Sequence, residues 1–219
     1  AKSPTFAALV LSPDGVRASN GTEGVSVPIA TGLTREVATD AAQLVAALKV
    51  CKDPQLTAHR SKLMVRTDGA EFGLKCLSEV PDVPTCDDPP TMLIDAEVMT
   101  AVRAVATMAN MKDRSPNNFD AVYFGPNWIG AARQCGVAVA WTNPVASVTE
   151  RGMVPAVLMR DLGSTGVRFL SAEDRFYFAP VDTDVVYWSS ARSGLWPADV
   201  VSAVLVAART ENGRARYTV

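Results

Sequence analysis

Short apolar runs broken by turn-forming residues fill most of this 219-residue chain, and only a few stretches switch to helical spacing. Phe6 to Ser12, Val16 to Ser19 and Val25 to Ala30 predict strands. Pro13-Asp14-Gly15 and Asn20-Gly21 separate them, and such pairs tolerate the positive φ of tight turns. Thr39 to Lys52 predicts a helix, with Asp40 and Gln43 as a capping-box-like start, Leu44, Leu48 and Cys51 at helical spacing, and Asp53-Pro54 as its stop. Gln55 to His59, Lys62 to Thr67 and Glu71 to Leu77 predict a second set of strands around the turn Asp68-Gly69. Ser78 to Thr91 is rich in prolines and acids and reads as a linker. Asp95 to Lys112 has the clearest helical pattern, an apolar stripe of Val98, Val102, Val105 and Ala109. Phe119 to Thr142 predicts three strands, Met153 to Leu162 a short helix with Pro155 near its start and Gly163 past its end, and Val167 to Trp188 three more strands. Ala198 to Val219 is ambiguous, either a helix over Val200 to Arg209 or a β-branched strand.

The order of these elements repeats, and so do the residues. Ser3-Pro4 through Leu11 returns as Ser115-Pro116 through Phe124, with the Ser-Pro pairs 112 apart. Pro13-Asp14-Gly15 returns as Pro126-Asn127-Trp128 at 113, and Gly24-Val25-Ser26-Val27 as Gly136-Val137-Ala138-Val139 at 112. Matches in one order at nearly one offset mark stacked copies of a structural unit. The expectation is an α+β chain of two tandem domains, each made of helix-plus-antiparallel-strand modules. The first domain spans 1–84 and lacks its leading helix, 85–92 is the linker, 93–197 is the second domain, and 198–219 is a C-terminal extension. The counterpart of Asp95 to Met111 would lie upstream of Ala1. That suggests an absent upstream helix, or else that 198–219 folds back into its place.

Composition narrows the function more by exclusion than by assertion. An apolar fraction of 48% with 20% charged residues is ordinary for globular domains. No apolar run approaches the roughly 18 residues of a membrane span, and no signal-peptide pattern opens the chain. Cys51, Cys76, Cys86 and Cys135 have no metal-binding spacing, so free thiols in a reducing cytoplasm are expected, with no cofactor and no metal. A formal charge of −2 argues against gripping nucleic acid through the overall field but leaves room for a local basic stripe. His59 stands without a neighbouring acid or nucleophile pattern, and Asp87-Asp88 fits a solvated hinge. Asp182 and Asp184, expected to alternate along one strand face, have no third ligand. No Walker loop, nucleophile elbow or zinc motif is present, and the chain is expected not to be an enzyme.

A tandem β-rich chain whose halves are each helix followed by three strands resembles the DNA polymerase sliding clamps. Ala101 to Arg114, Ser115-Pro116 and Phe119 to Val139 are similar to the helix, Arg-Pro-like step and strands that open a bacterial clamp domain. Gly194-Leu195-Trp196-Pro197 looks like the step that ends one, with Glu79-Val80-Pro81 as the weaker first copy. The likeness covers roughly residues 4 to 197. Arg133-Gln134-Cys135-Gly136-Val137 departs from it, standing where bacterial clamps carry a Thr-Asp-Gly-His-Arg-Leu-like turn. Bacterial clamps also have three domains where two are counted here. Two-domain clamps close as trimers, so the resemblance implies a trimeric ring, or a dimer if this is part of a three-domain chain. Bacterial-like local sequence on two domains points to a divergent, phage-encoded form.

What the resemblance implies can be set beside the residues. A sliding ring needs an inner wall that is helical, mildly basic and poor in base-reading groups. Lys49, Lys52, Arg103, Lys112, Arg114 and Arg160 are the candidates to face DNA, several of them late in helices. Thr100, Arg103, Thr107, Asn110 and Arg114 share one side of the second helix. Cations late in a helix also complement its dipole on any solvated surface, and that reading stays open. The family further implies an apolar pocket for short linear motifs of a polymerase and a clamp loader. Its candidates are Cys135, Gly136, Val137, Leu195, Trp196 and Pro197, with Val80, Pro81 and Val83. Trp196 serves equally well as a plug of the second domain's core. The partners implied are non-specific double-stranded DNA, those two proteins and further copies of this chain, with no membrane. The alternative is a clamp-like regulator that binds replication proteins without encircling DNA.

Overall fold

The computed structural model describes residues 8–110, 118–124, 128–133, 136–141, 152–163, 165–172 and 174–192. The chain forms two compact units, Ala1–Leu93 with Thr165–Ser190, and Ile94–Ser164 with Ala191–Val219. Each unit therefore draws on both halves of the sequence.

In the first unit, β1 (Ala8–Ser12), β2 (Gly15–Ser19), β3 (Glu23–Pro28) and β4 (Val37–Asp40) lead into α1 (Ala41–Val50). A three-stranded sheet follows, from β5 (Gln55–His59), β6 (Lys62–Thr67) and β7 (Ala70–Lys75), in that order. Leu9 and Leu11 project from one face of β1 into a core that takes in Leu44 and Ala47 of α1 and Leu63 and Val65 of β6. Val10 points the opposite way, as strand alternation requires, and is covered by Ala38 and Val83. Burial on both faces explains why β1 reads as an unbroken apolar run.

The second unit contains β9 (Ala121–Phe124), β10 (Trp128–Arg133), β11 (Gly136–Trp141) and β12 (Gly152–Pro155) as one sheet, ordered β11-β10-β9-β12. α2 (Ala96–Ala106) packs against β9, β10, β11 and α3 (Ala156–Asp161). Met99, Val102, Val105 and Ala106 are its buried side, with Ala109 just beyond its end and Val98 half-buried. The buried stripe is therefore led by Met99 rather than Val98. The helix also stops at Ala106, short of the expected Lys112. Residues 107–109 continue as a tight turn, with Met108 and Ala109 N–H donating to the carbonyls of Val105 and Ala106.

The duplication is legible in hydrogen-bond register. β4-β1-β2-β3 and β12-β9-β10-β11 have the same strand order when β1, β2 and β3 are moved by 113 and β4 by 115. Ala8 faces Asp40 as Ala121 faces Pro155. Leu11 faces Val16 as Phe124 faces Ile129, and Gly15 faces Pro28 as Trp128 faces Trp141. A one-residue slip turns every side chain to the other face, so register this closely shared is a strict form of likeness.

The remaining strands, β8 (Met92–Ile94), β13 (Val167–Ala172), β14 (Arg175–Pro180) and β15 (Val186–Ser190), extend the first unit's sheet to eight, ordered β4-β1-β2-β3-β15-β14-β13-β8. β3 and β15 form the seam, with Trp188 opposite Gly24. The indole is buried and Gly24 gives it room: a Cβ there would lie 2.3 Å from Trp188 Nε1 and 2.6 Å from the Ala18 carbonyl oxygen.

Three short strands depart from the sequence expectation. β4, β8 and β12 occupy residues read there as helix starts or linker. The reason is local: Asp40 and Asp95 are extended residues, with ψ of 126° and 168°, and cap the helices that follow them. Asp182 and Asp184 also differ from expectation, lying in the loop between β14 and β15. The expected proline-rich linker is not free over its whole length. Val83 is buried beneath β1, Arg17 donates to the Val83 carbonyl at 3.3 Å, and the Tyr177 hydroxyl donates to the Thr85 carbonyl at 3.2 Å.

Candidate functional site

Each described helix is launched by a strand and carries a cation in its last turn, followed in α3 by the acid Asp161. Asp40 Oδ1 accepts from Gln43 N–H at 2.8 Å, and Asp95 Oδ1 from Val98 N–H at 2.8 Å, satisfying donors that the first turn leaves open. α3 has no side-chain cap; its first N–H, that of Ala156, donates to the Asp120 carbonyl at 3.0 Å. Lys49, Arg103 and Arg160 stand in the last turns of α1, α2 and α3, where they meet the negative end of the dipole.

Apart from the exposed acids Glu97 on α2 and Asp161 on α3, the faces turned away from the cores are small, neutral or basic. α1 exposes Ala42, Gln43, Val45, Ala46, Lys49 and Val50 and carries no acid. α2 exposes Thr100, with Arg103 half-buried, and Thr107 is exposed at its C-cap; the helix's one acid, Glu97, sits in the first turn. Lys52, just past α1, and Arg160 are exposed. Such helices offer phosphate attraction without an array of base-reading groups. Lys49 and Lys52 belong to the first unit, Arg103 and Arg160 to the second. Lys112 and Arg114 lie outside the described residues.

The described pocket candidates belong to both units. Val80 is exposed, Pro81 half-buried, and Val83 is committed to the core of the first unit. Gly136 and Val137 start β11 in the second unit, with Val137 40% exposed. Cys135, Leu195, Trp196 and Pro197 lie outside the described residues. Beside Val83, burial pushes the Cys86 thiol above its ordinary range, helped by Asp87 and Asp88, and its Sγ contacts the Asp88 carbonyl at 2.8 Å. Burial likewise raises Cys76, against the opposing pull of Arg35. His59 is exposed on β5, and no group of three metal-ligating side chains occurs among the described residues.

Unpaired strand edges were not anticipated as a surface. β7 closes one side of the three-stranded sheet and β11 one side of the four-stranded sheet, each without a further partner strand among the described residues. Their signal was present in the repeat, because β11 is the counterpart of the paired strand β3.

This α+β architecture, with antiparallel sheets around few helices and its register duplicated, is that of the DNA clamps. The sliding clamp (DNA polymerase III subunit beta) of Bartonella birtlesii, solved bound to griselimycin, matches it with a TM-score of 0.76 at 13% identity, over 90% of this chain and 60% of that one. The Pseudomonas aeruginosa DNA polymerase III subunit beta gives 0.72 at 12% identity, over 92% and 62%. The Helicobacter pylori beta clamp, solved with a DNA ligase peptide, gives 0.69 at 13% identity, over 87% and 59%. This chain thus spans about three-fifths of the length of the solved clamps it matches. No protein-family profile and no curated protein matches the sequence. The likeness is one of fold.

Proposed function

We propose that this chain acts as a divergent DNA sliding clamp, a binding protein without catalysis of its own. Several copies close around duplex DNA and tether a replicative polymerase. The observation that carries the reading is the sheet duplicated in register, in a chain whose fold matches those of solved clamps. Repeating one unit around an axis surrounds a duplex with equivalent helices, and Lys49, Lys52, Arg103, Lys112, Arg114 and Arg160 would face the phosphates. With a chain charge of only −2, these local cations hold the ring loosely enough to slide. Two repeats per chain give three chains per ring, and a phage origin would account for the divergence. The tether acts by effective concentration, returning the polymerase to its template after each release. Polymerase and loader would reach the ring through short linear motifs at an apolar surface near Val137, Trp196 and Pro197.

The test is topological. Protein loaded on a nicked circular plasmid should stay bound through gel filtration at about 1 M salt, where a Debye length near 3 Å screens phosphate contacts. Cutting the plasmid once should release it. Equal loss from circle and linear DNA counts against encirclement.

A further inference from the structure

The solvent face of the three-stranded sheet gathers unpaired cations at one end. Leu56 and Ala58 of β5, Leu63 and Val65 of β6 and Phe72 and Leu74 of β7 face the core that α1 covers. Alternation therefore turns His59, Lys62 and Lys75 to the opposite face. His59 stands opposite Lys62 and Lys62 opposite Lys75, so the three cross the sheet in one row, all exposed. Neighbouring strands lie about 4.8 Å apart, and like charges directly opposed, as in Lys62 and Lys75, destabilise a pairing. Arg60, in the turn between β5 and β6, adds a cation at a φ of 50°, which asparagine or glycine adopts more easily. The Arg35 guanidinium donates to the Arg60 carbonyl and brings its own charge to the same end. Among the described residues no ion pair includes Arg35, Arg60, Lys62 or Lys75. At the other end of this face Arg66 is neutralised by Glu71 at 2.7 Å.

The second repeat lacks this arrangement. β14 follows β6 by 113, so Ala172, Arg175 and Ser190 are the counterparts of His59, Lys62 and Lys75. One cation stands in that row and pairs with Asp174 at 3.5 Å, and the turn reads Glu173-Asp174 where the first unit has Arg60-Ser61. The cationic row is thus a property of the first unit and not a demand of the fold. We propose that His59, Lys62 and Lys75, with Arg60 and Arg35, form a docking surface for the phosphate backbone of DNA, taken without regard to sequence. Bound phosphates would lift the repulsion that the free row bears. An open sheet face offers no concavity for a small ligand. The next row, Thr57–Met64–Gly73, supplies no aromatic anchor for a protein partner. Unpaired cations on a polar surface suit a nucleic-acid backbone instead. The surface lies across the sheet from α1, so it is separate from the helix cations assigned to an encircled duplex and does not rest on the ring reading.

Fluorescence anisotropy of the full chain with linear oligonucleotides, single-stranded and duplex, over a salt series tests this. Lys62→Thr with Lys75→Thr should weaken binding of every sequence alike. It should also flatten the slope of log K against log salt by about 1 for each phosphate contact removed, about 2 in all. Arg60→Asn, at ease in the left-handed turn, should flatten it by about 1 and serves if the double variant fails to fold by circular dichroism. Arg66→Thr, on the same face but already paired with Glu71, should change the slope far less. A change confined to one form of DNA supports the surface and names the form that docks. An unchanged slope on both forms overturns it. An equal change in Arg66→Thr overturns it too, since the effect is then one of net charge. On closed circular DNA at about 1 M salt the double variant should be retained as the parent is, because screened phosphate contacts play no part there. Release of the variant alone would place the row in ring assembly and overturn the docking surface; release of parent and variant alike sinks the ring reading alone.

Discussion

Replacing Gly24 by alanine probes the seam with one methyl group. The added Cβ would lie 2.3 Å from Trp188 Nε1, 2.5 Å from its Cε2 and 2.6 Å from the Ala18 carbonyl oxygen. Carbon atoms rest about 3.5–4.0 Å apart, so the overlap is about 1 Å on two sides. Neither side yields easily. One is backbone, and the other is a rigid ring that is 2% exposed, with the Arg175 guanidinium carbon 5.9 Å from its centre. Overpacking of this kind costs about 1–3 kcal/mol, and two rigid neighbours put Gly24→Ala near the upper end. Restricting the unfolded chain returns about 0.4–1 kcal/mol, leaving a net loss of about 2 kcal/mol. For a chain of this size that lowers the Tm by about 4–8 °C, readable by circular dichroism and by a matching fall of the urea midpoint. In a Trp188→Phe background the ring atoms carrying Nε1 are gone, and only the Ala18 clash remains. The penalty there should fall by about half, a coupling within the range for touching residues. An unchanged midpoint for Gly24→Ala, or the same penalty in both backgrounds, refutes the reasoning.

Two further outcomes follow from caps and buried acids. Asp95→Ala removes the acceptor for Val98 N–H and should lower stability by about 1 kcal/mol, while Asp95→Asn should keep most of it; urea titration separates them. Burial raises the folded pKa of Cys76, Cys86 and Tyr177, so their contribution to stability is full below the unfolded thiol pKa of about 8.5 and declines as pH rises through the folded values. Urea midpoints measured from neutral pH upward should fall on the alkaline side, and Cys76→Ala should flatten that fall.

Much of this architecture was readable from local pattern because turns and alternation are local. β5 and β6 have the bounds expected from Asp68-Gly69 and the flanking apolar alternation. The short strands β4 and β8 were hidden because one residue carries two messages: Asp40 and Asp95 are at once the end of an extended segment and the cap of a helix. The length of α2 was overread because Ala109 keeps helical spacing while sitting in a turn. For the site, Arg103 falls in a last turn only because α2 ends at Ala106, whereas Lys49 and Arg160 could be placed late in helices from sequence. The fate of Val83 could not, since its burial depends on Val10 and Ala38, far away in the chain. The sheet edges are tertiary facts too, set by which strands pair across the chain.

The central claim is that several copies of this duplicated chain assemble into one closed particle. Light scattering coupled to size exclusion, from low to high micromolar protein, measures it most directly. A particle of three chains whose mass holds across that range is the expected result. A chain that remains a single copy throughout would contradict it.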